Sequence, residues 1–362
     1  MSQMTNGGTK SPSAALSKLS RGMEAAPRLA IQEPLGGPIE ANGRVFVREL
    51  SEGDKIAGVF AVRERSRLSR RNGDDFLKLM VADRTGTVEA VVWEDVDACF
   101  ELTAPGSIVF IEGPFSVHPQ YGAKITVKAL RTAARGEYDE AELIESAPVP
   151  AERLEADLRA LLETIQSPHL RTLLDRFFAP DSNHWERFRV APAAKYYHQA
   201  FAHGLLDHSL SVAQAVSASA SAFPGIDRDV AVTGALLHDI GKTQAYNDDP
   251  LAIDLTDAGR LLGEIPIGYY LVRTQIESID GFDPETAQAI LHIILSHHGA
   301  LEHGSPVVPA TREATLVHAI DNLGGKLGSF DRIERELPDG ESWSKFDRGI
   351  GSGAYFSRRR AA

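Results

Sequence analysis

The chain has 362 residues, 43% of them hydrophobic and 24% charged, a globular balance that excludes a disordered, collagenous or fibrous protein. No run approaches the ~20 apolar residues of a membrane helix, and the polar N-terminus lacks a secretory apolar core. The single Cys99 leaves no disulfide framework or cysteine-rich zinc site and suits a reducing cytoplasm, while a net charge of -12 argues against whole-surface attraction to nucleic acid but not against a local basic patch.

Residues 1–42 are rich in Ser, Gly, Ala and Pro without a sustained period and read as a disordered tail. Residues 43–135 change to short β-rich runs: Lys55–Val62, Phe76–Ala82, Thr87–Trp93, Ser107–Gly113 and Lys124–Leu130. Asp83-Arg-Thr-Gly86 is a turn that pairs the second run with the third, and residues 95–102 suit a short helix between the third and fourth. Five strands with a helix in that place predict an OB-type β-barrel. The stretch after the first run holds Arg63, Arg65, Arg67, Arg70 and Arg71 against one acid, Glu64, and is expected to be a basic loop that touches a phosphate backbone. Tyr121, in a turn, is the aromatic residue most plainly placed for base stacking. Phe76 and Trp93 continue strand alternation and suit either a core or a stacking role.

Residues 136–165 are acidic, then carry Ala-Pro-Val-Pro, and read as a linker and connecting helix. There Leu154, Leu158, Leu161, Leu162 and Ile165 form one apolar helical stripe. Helical patterns continue at about 168–178, 197–222, 228–242, 258–279, 284–298 and 309–328. Residues 166–335 are therefore expected to form an all-α domain, with 336–362 as a loosely held C-terminal tail.

Histidines mark the chemistry. They gather at His198, His203 and His208, at His238, and at His297 and His298, at the ends of expected helices. An apolar helix runs into His238-Asp239 and then Gly241-Lys242. A carboxylate there can bridge two ions while the imidazole binds one. Asp321 lies on an otherwise apolar helix, where a buried carboxylate without a partner would be costly and a metal would satisfy it.

The run Ala235-Leu-Leu-His-Asp-Ile-Gly-Lys242 resembles the signature of HD-domain metallophosphohydrolases. Gly204-Leu-Leu-Asp-His208, Ile293-Ile-Leu-Ser-His-His-Gly299 and Val317-His-Ala-Ile-Asp-Asn322 stand in that family's order. With the barrel ahead of them, and with Leu261-Leu-Gly-Glu-Ile265 and Gly304-Ser-Pro-Val-Val308, residues 44–335 resemble the YhaM-type 3′–5′ exoribonucleases. The resemblance implies that His208, His238, Asp239 and Asp321 hold one metal. Asp239, Glu264, His297 and His298 would hold a second. The family usually has His where this chain has Glu264, so Glu264 is either an oxygen ligand or a solvated helix residue. His238, Asp239 and Lys242 would be the catalytic residues, with the Lys242 ammonium on a phosphate oxygen.

The implied cofactors are two divalent ions, Mn²⁺ first, with Mg²⁺, Co²⁺ or Fe²⁺ as alternatives. The implied substrate is single-stranded RNA, with single-stranded DNA beside it, cut from the 3′ end to nucleoside 5′-monophosphates. A barrel with Arg63, Arg65, Arg67 and Tyr121 would supply affinity. No membrane partner is expected, and a homo-oligomer stays open. Two other readings remain: a phosphohydrolase of small nucleotides, which would not need a barrel, and a non-catalytic single-strand-binding protein, which would not need every ligand type.

Overall fold

The computed structural model describes residues 30–31, 45–70, 73–118, 122–145, 149–195, 199–337 and 340–357. Most of the expected N-terminal tail, Tyr121 and His198 lie outside them. The two described tail residues, Ala30–Ile31 (β1), are not free: they pair in parallel with Ala129–Leu130.

The β-rich region folds as the runs predict, with two changes. Its strands are Lys55–Ser69 (β2), Asp75–Asp83 (β3), Gly86–Val92 (β4), Ile108–His118 (β5), Gly122–Thr126 (β6) and Ala129–Thr132 (β7). Helix α1, Val96–Leu102, falls between β4 and β5. The order β5-β2-β3-β4-β6, with a further β5–β6 pairing, joins five strands in a ring. The β4–β6 pair is parallel and the others antiparallel, which is the OB connection pattern. Phe60, Leu77, Leu79, Ile111, Ile125 and Leu130 fill its interior. The fifth expected run divides into β6 and β7.

The second change concerns the arginines. β2 does not end at Val62. It pairs with β5 over Lys55–Ala61, passes a bulge between Val62 and Glu64, then pairs with β3 to Ser69. Arg63, Arg65 and Arg67 are therefore strand residues and Arg70 follows the end of β2, while Arg71 lies outside the described residues. Backbone pairing with β3 outweighs the polar composition of the segment, because a ladder extends as long as both strands can supply partners.

The C-terminal half is helical: Ala151–Glu163 (α2), Pro168–Phe178 (α3), Trp185–Val190 (α4), Gly204–Ala220 (α5), Arg228–Leu237 (α6), Lys242–Ala245 (α7), Asp257–Leu262 (α8), Glu264–Glu277 (α9), Pro284–Ser296 (α10) and Arg312–Glu336 (α11). α6 is the axis. Every residue from Val230 to Leu237 is buried, and α3, α5, α10 and α11 pack round it. Asp227 caps its start by accepting from the Asp229 and Val230 amides. The stripe of α2 is buried in the same core, so this helix packs with the helical domain. After α11 the chain forms a hairpin, Trp343–Asp347 (β8) with Ser352–Tyr355 (β9). Phe356 packs near Phe330, and Arg332 pairs with Asp347 at 2.6 Å, which ties this expected tail to α11. Among the described residues no helix is long and apolar enough to cross a membrane.

The two halves touch through β2. The Arg63 guanidinium donates to the Pro250 carbonyl of the α7–α8 connection. Lys195 bridges Glu64 of β2 and Asp254 of the same connection, at 2.9 and 3.0 Å.

Candidate active site

Two helices end on the same device. α6 runs into His238 and α10 into His297, and each ring donates Nδ1–H to the carbonyl three residues earlier: Ala235 at 2.6 Å and Ile294 at 2.8 Å. These carbonyls lie in last turns, where oxygens lack intrahelical partners. When the ring is neutral, such a bond leaves its Nε2 lone pair turned inward, as a metal ligand requires. His298 does the same with the His303 carbonyl at 2.9 Å. His208, on α5, donates Nδ1–H to a side chain instead, Gln199 Oε1 at 3.0 Å.

Asp239 is the hub of the cluster. Its Oδ2 lies 3.3 Å from His208 Nε2 and 3.4 Å from His238 Nε2, while Oδ1 lies 3.4 Å from His297 Nε2. Asp321, on α11, places Oδ1 3.2 Å from His208 Nε2. On the far side Glu264 Oε1 is 3.4 Å from His298 Nε2, with the Glu264 side chain only 16% exposed. Glu264 thus faces the cluster rather than solvent. Gly241 makes this approach possible: a Cβ there would sit 2.0 Å from the Glu264 carbonyl and 2.6 Å from the Gly268 amide. The bare turn after Asp239 can therefore lie on the first turn of α9. Lys242, opening α7, donates Nζ to Asp239 Oδ2 at 2.6 Å.

Burial and charge set distinct protonation states. Burial drives the His238 imidazole down to about 4, so it is neutral. Burial also opposes a charge on His208, yet Asp239 and Asp321 more than offset it and hold that ring up to about 9. Burial works against the Asp239 carboxylate too, but Lys242 and the surrounding histidines keep it well below the usual carboxylate range. Lys242, though buried, is held above its ordinary value by Asp239 and Glu264.

The residues fit a divalent metal. Asp239 Oδ1 and His297 Nε2 are buried with no hydrogen-bond partner, a costly arrangement that a cation would relieve. His208, His238 and Asp239 present donor atoms within 4.8 Å of one another, and so do Asp239, Glu264, His297 and His298. Imidazole nitrogen with carboxylate oxygen suits first-row ions such as Mn²⁺.

The structure therefore brings together His208, His238, Asp239, Lys242, Glu264, His297, His298 and Asp321. His203, His292 and His303 are among the described histidines that stay outside the cluster. His203 Nδ1 bonds the Arg189 carbonyl at 2.7 Å, His292 Nε2 accepts from the Ala310 amide at 2.8 Å, and His303 contributes only its carbonyl. Gln199 was not singled out by the sequence. Its polar side chain beside His198 has no period or motif to mark it.

The barrel arginines are placed otherwise than expected. Arg63 is turned into the contact with Pro250. Arg65 donates to the Phe100 carbonyl and lies 3.7 Å over its ring. Arg67 pairs with Asp75 at 2.6 Å and Asp97 at 2.7 Å. A different group forms where β2 and β4 end and β3 begins. Trp93 stacks on Phe76 with centroids 4.9 Å apart, and the Arg70 guanidinium caps Trp93 at 4.4 Å. A cleft of about 600 Å³ lined by Arg70, Asp74, Trp93 and Glu94 opens beside them.

A family model for the HD domain matches residues 205–325. The 3′–5′ exoribonuclease YhaM of Bacillus subtilis is 30% identical over 291 residues, covering 80% of this chain and 90% of that protein. The chain belongs to the YhaM 3′–5′ exoribonuclease family. The YhaM of a Geobacillus species is 29% identical over 80% of the chain and 88% of its own length. Among solved structures, the second OB-fold domain of replication protein A from Methanococcus maripaludis aligns with 24% of the chain and 90% of its own, at 22% identity and a TM-score of 0.20. The OB pattern of the barrel lies in its strand order, with the parallel β4–β6 pair closing the ring.

Proposed function

We propose that this protein is a divalent-metal-dependent 3′–5′ exoribonuclease that degrades single-stranded RNA to nucleoside 5′-monophosphates. The observation that carries the reading is the pair of donor groups meeting at Asp239, with its Oδ1 and His297 Nε2 buried and unpartnered, in a chain of the YhaM family.

His208, His238, Asp239 and Asp321 would hold one ion, and Asp239, Glu264, His297 and His298 a second. Ions bound there would supply a nucleophilic water at neutral pH and neutralise charge on the phosphate. The protein does the remaining work. Nδ1–H bonds to Ala235, Ile294 and His303 carbonyls keep three rings in one orientation before substrate arrives. Asp239, held ionised by Lys242, offers one oxygen to each donor group. Lys242 is fixed beside this carboxylate, so its ammonium binds a non-bridging oxygen of the scissile phosphate and stabilises charge that grows there. His238, being neutral, serves as a ligand rather than as an acid.

In the barrel, Arg67 and the Trp93–Phe76 stack capped by Arg70 form the proposed RNA contact. Arg67 is exposed enough to exchange an acidic partner for a phosphate, and a base can stack where Arg70 now lies. Tyr121 remains a proposed stacking residue.

The deciding experiment is Mn²⁺-dependent digestion of a 5′-labelled single-stranded RNA, beside the matched DNA and a 3′-blocked RNA. The expected result is a ladder that shortens from the 3′ end of RNA and is absent with the block. A folded, metal-loaded protein that cuts no strand would overturn the reading and leave small nucleotides as the substrate to try.

A further inference from the structure

Three of the four histidines around Asp239 are oriented by main-chain carbonyls, which can only accept a hydrogen bond. His208 differs, because its Nδ1 faces the side-chain amide of Gln199. An amide has two faces of opposite character. With Oε1 toward the ring, Nδ1 must carry the proton, so the proton an ion displaces is the one on Nε2, and the neutral ring has its lone pair there. With the amide turned over, its NH₂ would face the ring, Nδ1 would have to accept, and the neutral ring would carry its proton on Nε2. That tautomer cannot bind an ion at Nε2, which faces Asp239 and Asp321.

Asp207 removes the ambiguity. Gln199 Nε2 lies 3.0 Å from Asp207 Oδ2, and a carboxylate has no hydrogen to give, so the NH₂ must be on that side. The backbone is built to hold this amide. Gln199 adopts φ 63°, its carbonyl accepts from the Ala193 amide at 3.1 Å, and a Cβ on Gly204 would stand 2.1 Å from the same oxygen. Only glycine at the start of α5 lets the helix lie so close.

We propose that Asp207 and Gln199 form an orientation lock: Asp207 sets the direction of the Gln199 amide, and the amide selects the His208 tautomer that can bind a metal. Both are positioning residues, and the lock rests on the metal reading of the site given above.

The test is Mn²⁺ binding at fixed pH, with the free ion followed by electron paramagnetic resonance. It compares full-length wild type, Gln199→Ala, Asp207→Ala and the double variant. Removing a partner of a ligand histidine costs roughly 10–100-fold in affinity. Each single variant is expected to lose about that much for one ion, while affinity for the other, held by Glu264, His297 and His298, persists and shows that the protein is folded. The double variant should be no weaker than either single one, because Asp207 acts only through Gln199. Gln199→Glu in the Asp207→Ala background should restore most of the loss, since a carboxylate presents an acceptor whichever way it turns. Unchanged binding in Asp207→Ala, losses that multiply in the double variant, or no rescue would overturn the lock. Wild-type protein that takes up no Mn²⁺ would overturn the metal reading beneath it.

Discussion

The helical half and the barrel treat their charged residues in opposite ways. Around Asp239, groups from α5, α9, α11 and the ends of α6 and α10 converge from distant parts of the chain, and two buried atoms are left without partners. In β2 three arginines close together in sequence diverge to three different partners: Pro250, Phe100, and the Asp75–Asp97 pair. Nearness in sequence therefore says little about a shared ligand. Convergence of unlike residues that leaves donor atoms unused says much more.

The sharpest way to break this contrast is Asp239→Asn. It removes the carboxylate common to both donor groups, and hydrolysis of RNA should fall about a thousandfold or more with the circular dichroism spectrum unchanged. Activity near wild type would return the cluster to a structural role. A second probe is pH. The metal-free site keeps a proton on His208 up to about 9, and an ion must displace it. Mn²⁺ affinity should thus rise about tenfold per pH unit for that proton and level off near pH 9, roughly fiftyfold from pH 7 to 9. Stability moves the opposite way without metal. A raised folded pKa adds stability below the unfolded value of about 6.5 and loses it as pH climbs toward about 9. Melting temperatures of chelator-treated and Mn²⁺-loaded protein should therefore diverge across that window. A constant gap would remove His208 from the ligand set.

Smaller effects are expected from substitutions that move a partner without touching it. Gly241→Ala would press a methyl into the Glu264 carbonyl and push α9 outward, at a cost of about 1–3 kcal/mol. It should also weaken the ion held by Glu264 more than the one held by Asp321, as a two-step Mn²⁺ titration would resolve. The least effect on RNA belongs to Arg63→Ala. Losing its bond to Pro250 should cost about 1 kcal/mol in urea unfolding and change RNA affinity less than about twofold. The reverse outcome, a large affinity loss at constant stability, would restore the basic-loop expectation.

Much of the site was legible because metal chemistry restricts residue type. Few residues other than His, Asp and Glu serve, and His238-Asp239 announces itself beside an apolar helix. Glu264 was readable only as one of two possibilities, since whether a carboxylate faces a cluster or water depends on packing that Gly241 permits. The strands of the barrel showed in their alternation, yet the end of β2 did not. Ser66 to Ser69 pair with β3 through backbone atoms, which no polar side-chain pattern reveals. The C-terminal hairpin escaped for a related reason: short, Gly- and Ser-rich strands held to α11 by Phe356 and Asp347 carry no periodic signal of their own. Gln199 shows the same limit inside the site, because its importance lies in which way an amide faces.

The ends of α6 and α10 carry one more implication. The ring that turns Nε2 toward the cluster uses Nδ1 to satisfy a carbonyl its own helix leaves open, so a single side chain completes both a coordination sphere and a stretch of secondary structure. A replacement that imitates only one of the two nitrogens forfeits the other duty. Mutational tolerance at His238 and His297 is thereby narrowed twice, once by inorganic chemistry and once by the polypeptide backbone.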